Sequence, residues 1–257
     1  MKIRLYTPAM QGKGVFDHGK ITEQKPIGFS GEGSVINRVG PLFYWAWAHT
    51  EAEGFIPSHP HYGFEIMTYV LSGTAEHGDS LGTRSTVGAG GVQVIKAGSG
   101  ISHEERFLGP DMEAFQIWFE PDLQAESRKT PAYEQYESGK FPVSEQDGMR
   151  AVDILGNGSP IRLTAEAKMR DVEVQPHSAY RHTLSKGTTV AALAVRGAGS
   201  WESGEGRQEA FRERDFMLLT AADAEENILL RADHEPVRML LIEVPDRVNY
   251  GLIPKKY

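Results

Sequence analysis

HPHYGFEIMTYVLSG, residues 59–73, places two histidines either side of a proline, a glutamate four residues on, and then a run rich in β-branched and aromatic residues. The run ends in Ser-Gly, a turn signal, so it reads as a strand. On an extended chain, side chains at i and i+2 point to one face. His59 and His61 therefore aim together, and Pro60 turns away, as suits a strand edge or start. Glu65 has the same parity if the strand runs regularly through Gly63.

The same texture continues outward. LFYWAWAH (42–49), GVQVIKAG (91–98) and EAFQIWFEP (113–121) are strand-like runs between glycines, which number 28 in the chain. HGDSLGT (77–83) reads as a tight connection between two of them. The spacing suits an antiparallel sandwich or barrel rather than alternating strands and helices. Residues 121–149 are polar and carry little periodicity, which marks an interdomain connection with some local structure. Strand-like runs resume at TVAALAVRG (189–197), DFMLLTA (215–221), NILLRA (227–232) and VRMLLIEVP (237–245). LTAEAKMRD (163–171) is expected to hold a helical turn. The fold class is all-β, with two antiparallel β-sandwich or barrel domains, 1–135 and 136–257, the second including the connection.

Composition narrows the chemistry. The 257 residues include no cysteine, which excludes disulfides, thiolate zinc sites and iron–sulfur clusters. Any metal must be held by nitrogen and oxygen. Net charge is −8 and the basic residues are scattered, so no stripe suited to direct nucleic-acid binding is present. No apolar run approaches the ~20 residues a membrane helix needs, and the start lacks a signal-peptide core. A cytoplasmic protein without a membrane partner is expected.

A second pair, one histidine and one glutamate, lies in GSGISHEERF (98–107), where His103 and Glu105 are again i and i+2. An isolated HxH carries little weight. Two such pairs roughly forty residues apart, each on a strand-like run framed by glycines, point to one metal ion. Three imidazoles and a carboxylate would leave a divalent ion with a charge of about +1 and, if octahedral, two open positions, which is a catalytic arrangement. His77 is expected at a solvated turn. Trp45, Trp47 and His49 share one strand face, expected to be half-buried. Phe64, Met67, Phe115, Ile117 and Trp118 are candidates to line the cavity, and parity alone does not choose among them. His177, His182 and His234 form no HxH and are expected to be surface or packing residues.

GFIPSHPHYGFEIMTYVLSG (54–73) resembles the first metal motif of the cupin superfamily, and GGVQVIKAGSGISHEE (90–105) resembles the second. HPHYGFEIMTYVLSGTAEHGDSLG with AGSGISHEE is similar to the pirin family, nearest to bacterial pirin-like quercetin 2,3-dioxygenases. FDHG (16–19) and TPAYEQY (130–136) extend the likeness, which is strong over about 54–136 and weaker beyond residue 149.

The resemblance implies a bicupin, a pair of jelly-roll domains in which only the N-terminal one binds metal. It implies His59, His61, His103 and Glu105 as ligands, with Glu105 or Glu65 accepting a proton during catalysis and Glu65 standing outside the coordination. It implies iron(II), with Mn, Ni, Co, Cu and Zn as further occupants of such sites, and a flavonol and O2 as substrates. Tyr62 stands where members often carry Arg or Lys, and HEE replaces HSE or HAE; by parity Glu104 points away. The resemblance equally implies a redox-sensing, metal-binding regulator with a protein partner as the alternative, and an isomerase using the cluster for acid–base chemistry ranks third. A monomer is expected.

Overall fold

The computed structural model describes residues 2–204, 206–221 and 224–255. Among these the chain is almost wholly antiparallel β-structure, and the regular helix is a single turn, Leu123–Glu126, whose N-cap Asp122 accepts from the Gln124 backbone N–H. Among the described residues no helix is long and apolar enough to cross a membrane.

The chain forms two compact units. One comprises Gln11–Lys140 with the tail from Asn249, the other Met1–Met10 with Phe141–Val248. Against the expected domains 1–135 and 136–257, the break falls at Lys140/Phe141, and each terminus belongs to the other unit. The strand Lys2–Tyr6 pairs with Phe216–Thr220 and belongs to the second unit. The tail returns to the first, where the Ile253 N–H donates to the Glu120 carboxylate and Tyr250 to the Glu120 carbonyl.

The first unit is organised around two long strands, Glu65–Asp79 and Ile101–Phe119, paired along almost their whole length. The latter also pairs with Leu42–Thr50 through its second half and with Glu53–His61 through its first. Alternation then sorts the side chains. Ile66 and Thr68 lie opposite Trp118 and Gln116 on one face; Met67 and Tyr69 lie opposite Ile117 and Phe115 on the other. Of the proposed cavity residues, Phe64 and Trp118 pack together inside, whereas Met67, Phe115 and Ile117 face away. Trp45 and Trp47 share that opposite face, each against Phe115, and both are buried rather than half-buried.

The second unit has a seven-stranded sheet including Lys168–Val174, Thr188–Arg196 and Val237–Pro245, and a four-stranded sheet including Ala179–Leu184 and Glu226–Ala232. Their facing apolar residues, Val172, Ala192, Trp201, Ile228, Leu230 and Met239 among them, form its core. No helical turn forms at 163–171. Met169 and Val172 are fully buried between strands on both sides, so tertiary pairing overrides the local helix propensity of Ala-Glu-Ala-Lys. The connection 121–149 is more ordered than expected: Ala132–Tyr136 pairs with Val92–Lys96.

Candidate metal centre

The strand Glu53–His61 places His59 directly opposite His103. Directly opposite residues share a sheet face, and His61 shares it by parity. The three rings converge, with centroids 4.4 Å (His59–His103), 4.8 Å (His59–His61) and 4.8 Å (His61–His103) apart. One nitrogen from each lies within 4.8 Å of the others.

The strand does not continue to Glu65. It ends at His61, and Gly63, at φ +76°, turns the chain while its N–H donates to the Gly98 carbonyl. A Cβ there would lie 2.6 Å from Leu123 Cδ2. Gly63→Ala is therefore expected to cost at least about 1 kcal/mol, from the left-handed backbone alone, read as a lowered denaturant midpoint. The turn resets parity. Glu65 is buried on the sheet face opposite Thr68, and its charge is felt by Lys129 and Tyr250. The expectation that Glu65 aims with the histidines is corrected accordingly.

Glu105 is almost fully buried and follows His103 on the same face. It is not among the group within 4.8 Å. Its carboxylate accepts from Gln116 Nε2 at 3.0 and 2.8 Å and from Thr68 Oγ1 at 3.2 Å. Gln116 is oriented in turn by Trp118, whose indole N–H donates to its Oε1 at 3.3 Å. This relay from Trp118 through Gln116 to Glu105 has no local sequence signature, because its partners sit on the returning half of the same strand.

His77 differs from its expected place. It is buried on the strand Glu65–Asp79, not in the turn, which starts at Ser80. Its Nε2 lies 2.8 Å from Asp79 Oδ2, and its ring stacks on Tyr133 at 4.1 Å and sits 5.4 Å from His103. Asp79 Oδ1 also accepts the Leu81 and Thr83 N–H groups. Burial pushes the Asp79 carboxyl up, but these donors outweigh it and hold it below its usual value. The i, i+2 spacing of His77 and Asp79 repeats that of the other pairs and was the available signal.

The donor set fits a divalent ion. His61 Nε2 and His103 Nε2 are 2.9 Å apart; two nitrogens bound at a right angle, each about 2.1 Å from an ion, lie about 3.0 Å apart. His59 Nδ1 lies 2.9 Å from the Pro57 carbonyl, which can only accept, so Nδ1 carries the proton and Nε2 keeps its lone pair. Burial, then the neighbouring His103 and His59 rings, pushes His61 down to about 3; burial, then His59 and His77, pushes His103 to about 3. Both imidazoles are thus neutral, as ligands must be.

A pH dependence follows for metal-free protein. These folded values lie below the unfolded value near 6.5, so the unfolded chain binds more protons between about pH 3 and 6.5. Stability is full above that window and is lost as pH falls through it. The urea midpoint of metal-free protein is expected to drop between pH 7 and 5.

The group is bordered by an aromatic wall. His61 meets the edge of Trp118 at 4.8 Å, Trp118 packs on Phe64 and Tyr44, and Phe64 on Phe43. A cavity of about 390 Å³ opens beside His61 between Tyr62 and Ile101, with Tyr62 58 % exposed at its rim.

Comparison with known proteins places these features in context. The pirin family model matches residues 42–119. The chain is 31% identical over 200 residues to a Pseudomonas aeruginosa protein provisionally assigned as a quercetin 2,3-dioxygenase, covering 74% of this chain and 83% of that protein. It is 45% identical over 82 residues to the quercetin 2,3-dioxygenase of Escherichia coli, covering 30% of this chain and 33% of that enzyme. Among solved structures, a bacterial pirin from Escherichia coli in complex with nickel(II) superposes with a TM-score of 0.75 at 25% identity, covering 95% of this chain and 99% of that one.

Proposed function

Because this chain belongs to the pirin family and is a bicupin, we propose that its N-terminal barrel holds one iron(II) ion and opens flavonol rings with O2. The observation that carries this reading is the convergence of three imidazole rings, those of His61 and His103 held neutral by burial, with His61 set between the Trp118 ring and an open cavity.

His59, His61 and His103 would hold the ion, with Glu105 as the fourth donor. When bound, a divalent ion supplies a positive charge that favours the deprotonated 3-oxygen of a flavonol. The chain's own residues supply the rest. Glu105, whose carboxylate accepts from Gln116 and Thr68, would take the 3-hydroxyl proton. Trp118 and Phe64 offer flat apolar surface to the substrate and keep water from its rings. Tyr62 at the rim meets the substrate with an aromatic face where a cation is common in the family.

The test is to load metal-free protein with iron(II) without air, then add quercetin and O2. Loss of the flavonol's visible absorbance with release of carbon monoxide is expected. Protein that carries one iron per chain and leaves quercetin intact would overturn the proposal.

A further inference from the structure

Phe29 belongs to the aromatic wall, yet no strand ladder holds it. It lies in the irregular segment 28–40, between the strands Ile21–Ile27 and Leu42–Thr50. Tyr44 stands opposite Trp118, on the face that carries Gln116 and the metal centre. Phe29 stacks on Tyr44 at 4.6 Å and meets Trp118 edge-on at 5.4 Å. Trp118 in turn touches His61. Phe29, Phe64 and Trp118 are partly buried, so these rings of the wall keep free surface.

The tail of the first unit secures this segment. Lys255 Nζ donates to the carbonyls of Gly28 at 2.9 Å, Asn37 at 2.5 Å and Phe43 at 2.5 Å. One ammonium thus ties both ends of the segment to the strand that carries Tyr44. A lysine ammonium has three N–H donors, and here each meets a backbone carbonyl, so the group holds backbone in place. Its charge lies 4.2 Å from the centre of the Phe43 ring and 5.4 Å from that of Phe29, inside the ~6 Å reach of a cation–π contact. The tail is itself anchored at Glu120, which is fully buried. The Ile253 N–H donates to Glu120 Oε1 at 2.5 Å. Arg38, from the segment, lies 2.7 Å from Glu120 Oε2 and donates to the Ile253 carbonyl at 2.9 Å. The segment's internal bonds, Phe29 N–H to Glu32 Oε2 at 2.7 Å and Gly28 N–H to the Ile36 carbonyl at 3.3 Å, give it shape. The tie from Lys255 sets where that shape sits against the wall.

We propose that Lys255 is a positioning residue for the cavity beside the metal centre. It latches the segment 28–40 so that Phe29 closes on Tyr44 and Trp118 and completes the surface on which a flat aromatic ligand lies. Lys255 touches neither ligand nor metal and acts through Phe29. That the ligand is a flavonol rests on the reading above; the latch does not.

Hydrogen exchange and flavonol binding, both on iron(II)-loaded protein kept without air, test it. Lys255→Met keeps most of the stem and removes the donors. In it the amides of Gly28, Phe29 and Glu32 should exchange about tenfold faster or more, while those of Leu42–Thr50 keep their wild-type rates. Quercetin should bind about tenfold more weakly, the upper end of what one lost aromatic contact costs, with iron content unchanged. Phe29→Ala should weaken binding equally, and adding Lys255→Met to it should cost nothing further, because the latch acts only through that ring. Unchanged exchange at Gly28, Phe29 and Glu32, exchange that quickens equally throughout Leu42–Thr50, or losses that add in the double variant would overturn the positioning role. Wild-type protein that carries iron and binds no quercetin would sink the flavonol reading and the ligand contact assigned to Phe29, and the exchange rates would still decide the latch.

Discussion

His61→Ala is expected to abolish metal retention and to lower flavonol turnover by more than about a hundredfold, the upper end of what losing a mere outer partner of a ligand costs. The imidazole is 6% exposed, its Nε2 is 2.9 Å from that of His103, and its ring rests on the Trp118 edge. Its loss leaves two imidazoles and opens the wall to water. The fold should survive. In metal-free protein the change removes one of two neutral rings that burial keeps unprotonated, so the variant should lose less stability than wild type on going from pH 7 to 5. Metal content per chain, turnover and urea midpoints at the two pH values check each part. Full metal occupancy in the variant would remove His61 from the ligand set.

Lys25→Met should cost about 3–5 kcal/mol, the range for breaking a buried ion pair from one side. Lys25 is 3% exposed, with its ammonium 3.2 Å from Glu23 Oε2 and 2.5 Å from Glu32 Oε1. Tyr44 OH donates to Glu23 at 3.3 Å. Burial already raises the Glu23 carboxyl against the pull of Lys25. Without the ammonium it rises further, so the folded variant takes up a proton that the unfolded chain releases, and the deficit should be smaller at pH 5 than at pH 8. The melting temperature of the first unit should fall by roughly 6–20 °C. Glu23→Gln added to Lys25→Met should recover much of the loss, because the uncompensated charge is then gone. Since Tyr44 packs on Trp118, a deficit in Lys25→Met should also loosen the wall beside the metal centre. Equal stability of Lys25→Met and wild type would show that the ion pair is not holding this corner.

The pairs His59/His61 and His103/Glu105 were legible because strand parity is a local rule, and both lie on strands. Where backbone geometry broke the rule, reading failed. Gly63, with its positive φ, separates Glu65 from the histidines. Register shifts at Val70–Ser72 and Ser72–Thr74 let the strand Glu65–Asp79 run on past Gly73, so that His77 is buried beside His103 rather than in a turn. Gln116, Thr68 and Tyr133 were invisible for another reason. Thr68 and Tyr133 reach the centre from other strands and Gln116 from the returning half of the strand that carries His103, and nothing local distinguishes them from ordinary sheet residues. The exchange of termini between units likewise depends on long-range pairing. His182 has no i+2 partner histidine, so the sequence offers only a surface or packing place for it; its neighbours Arg170 and Glu243 come from other strands.

The central claim is that His59, His61 and His103 share one ion. Anomalous diffraction at the iron edge, from crystals of iron(II)-loaded protein, tests it most directly. The account predicts one peak per chain, within bonding distance of a ring nitrogen of each of the three histidines. A peak elsewhere, or none at full iron loading, would contradict it.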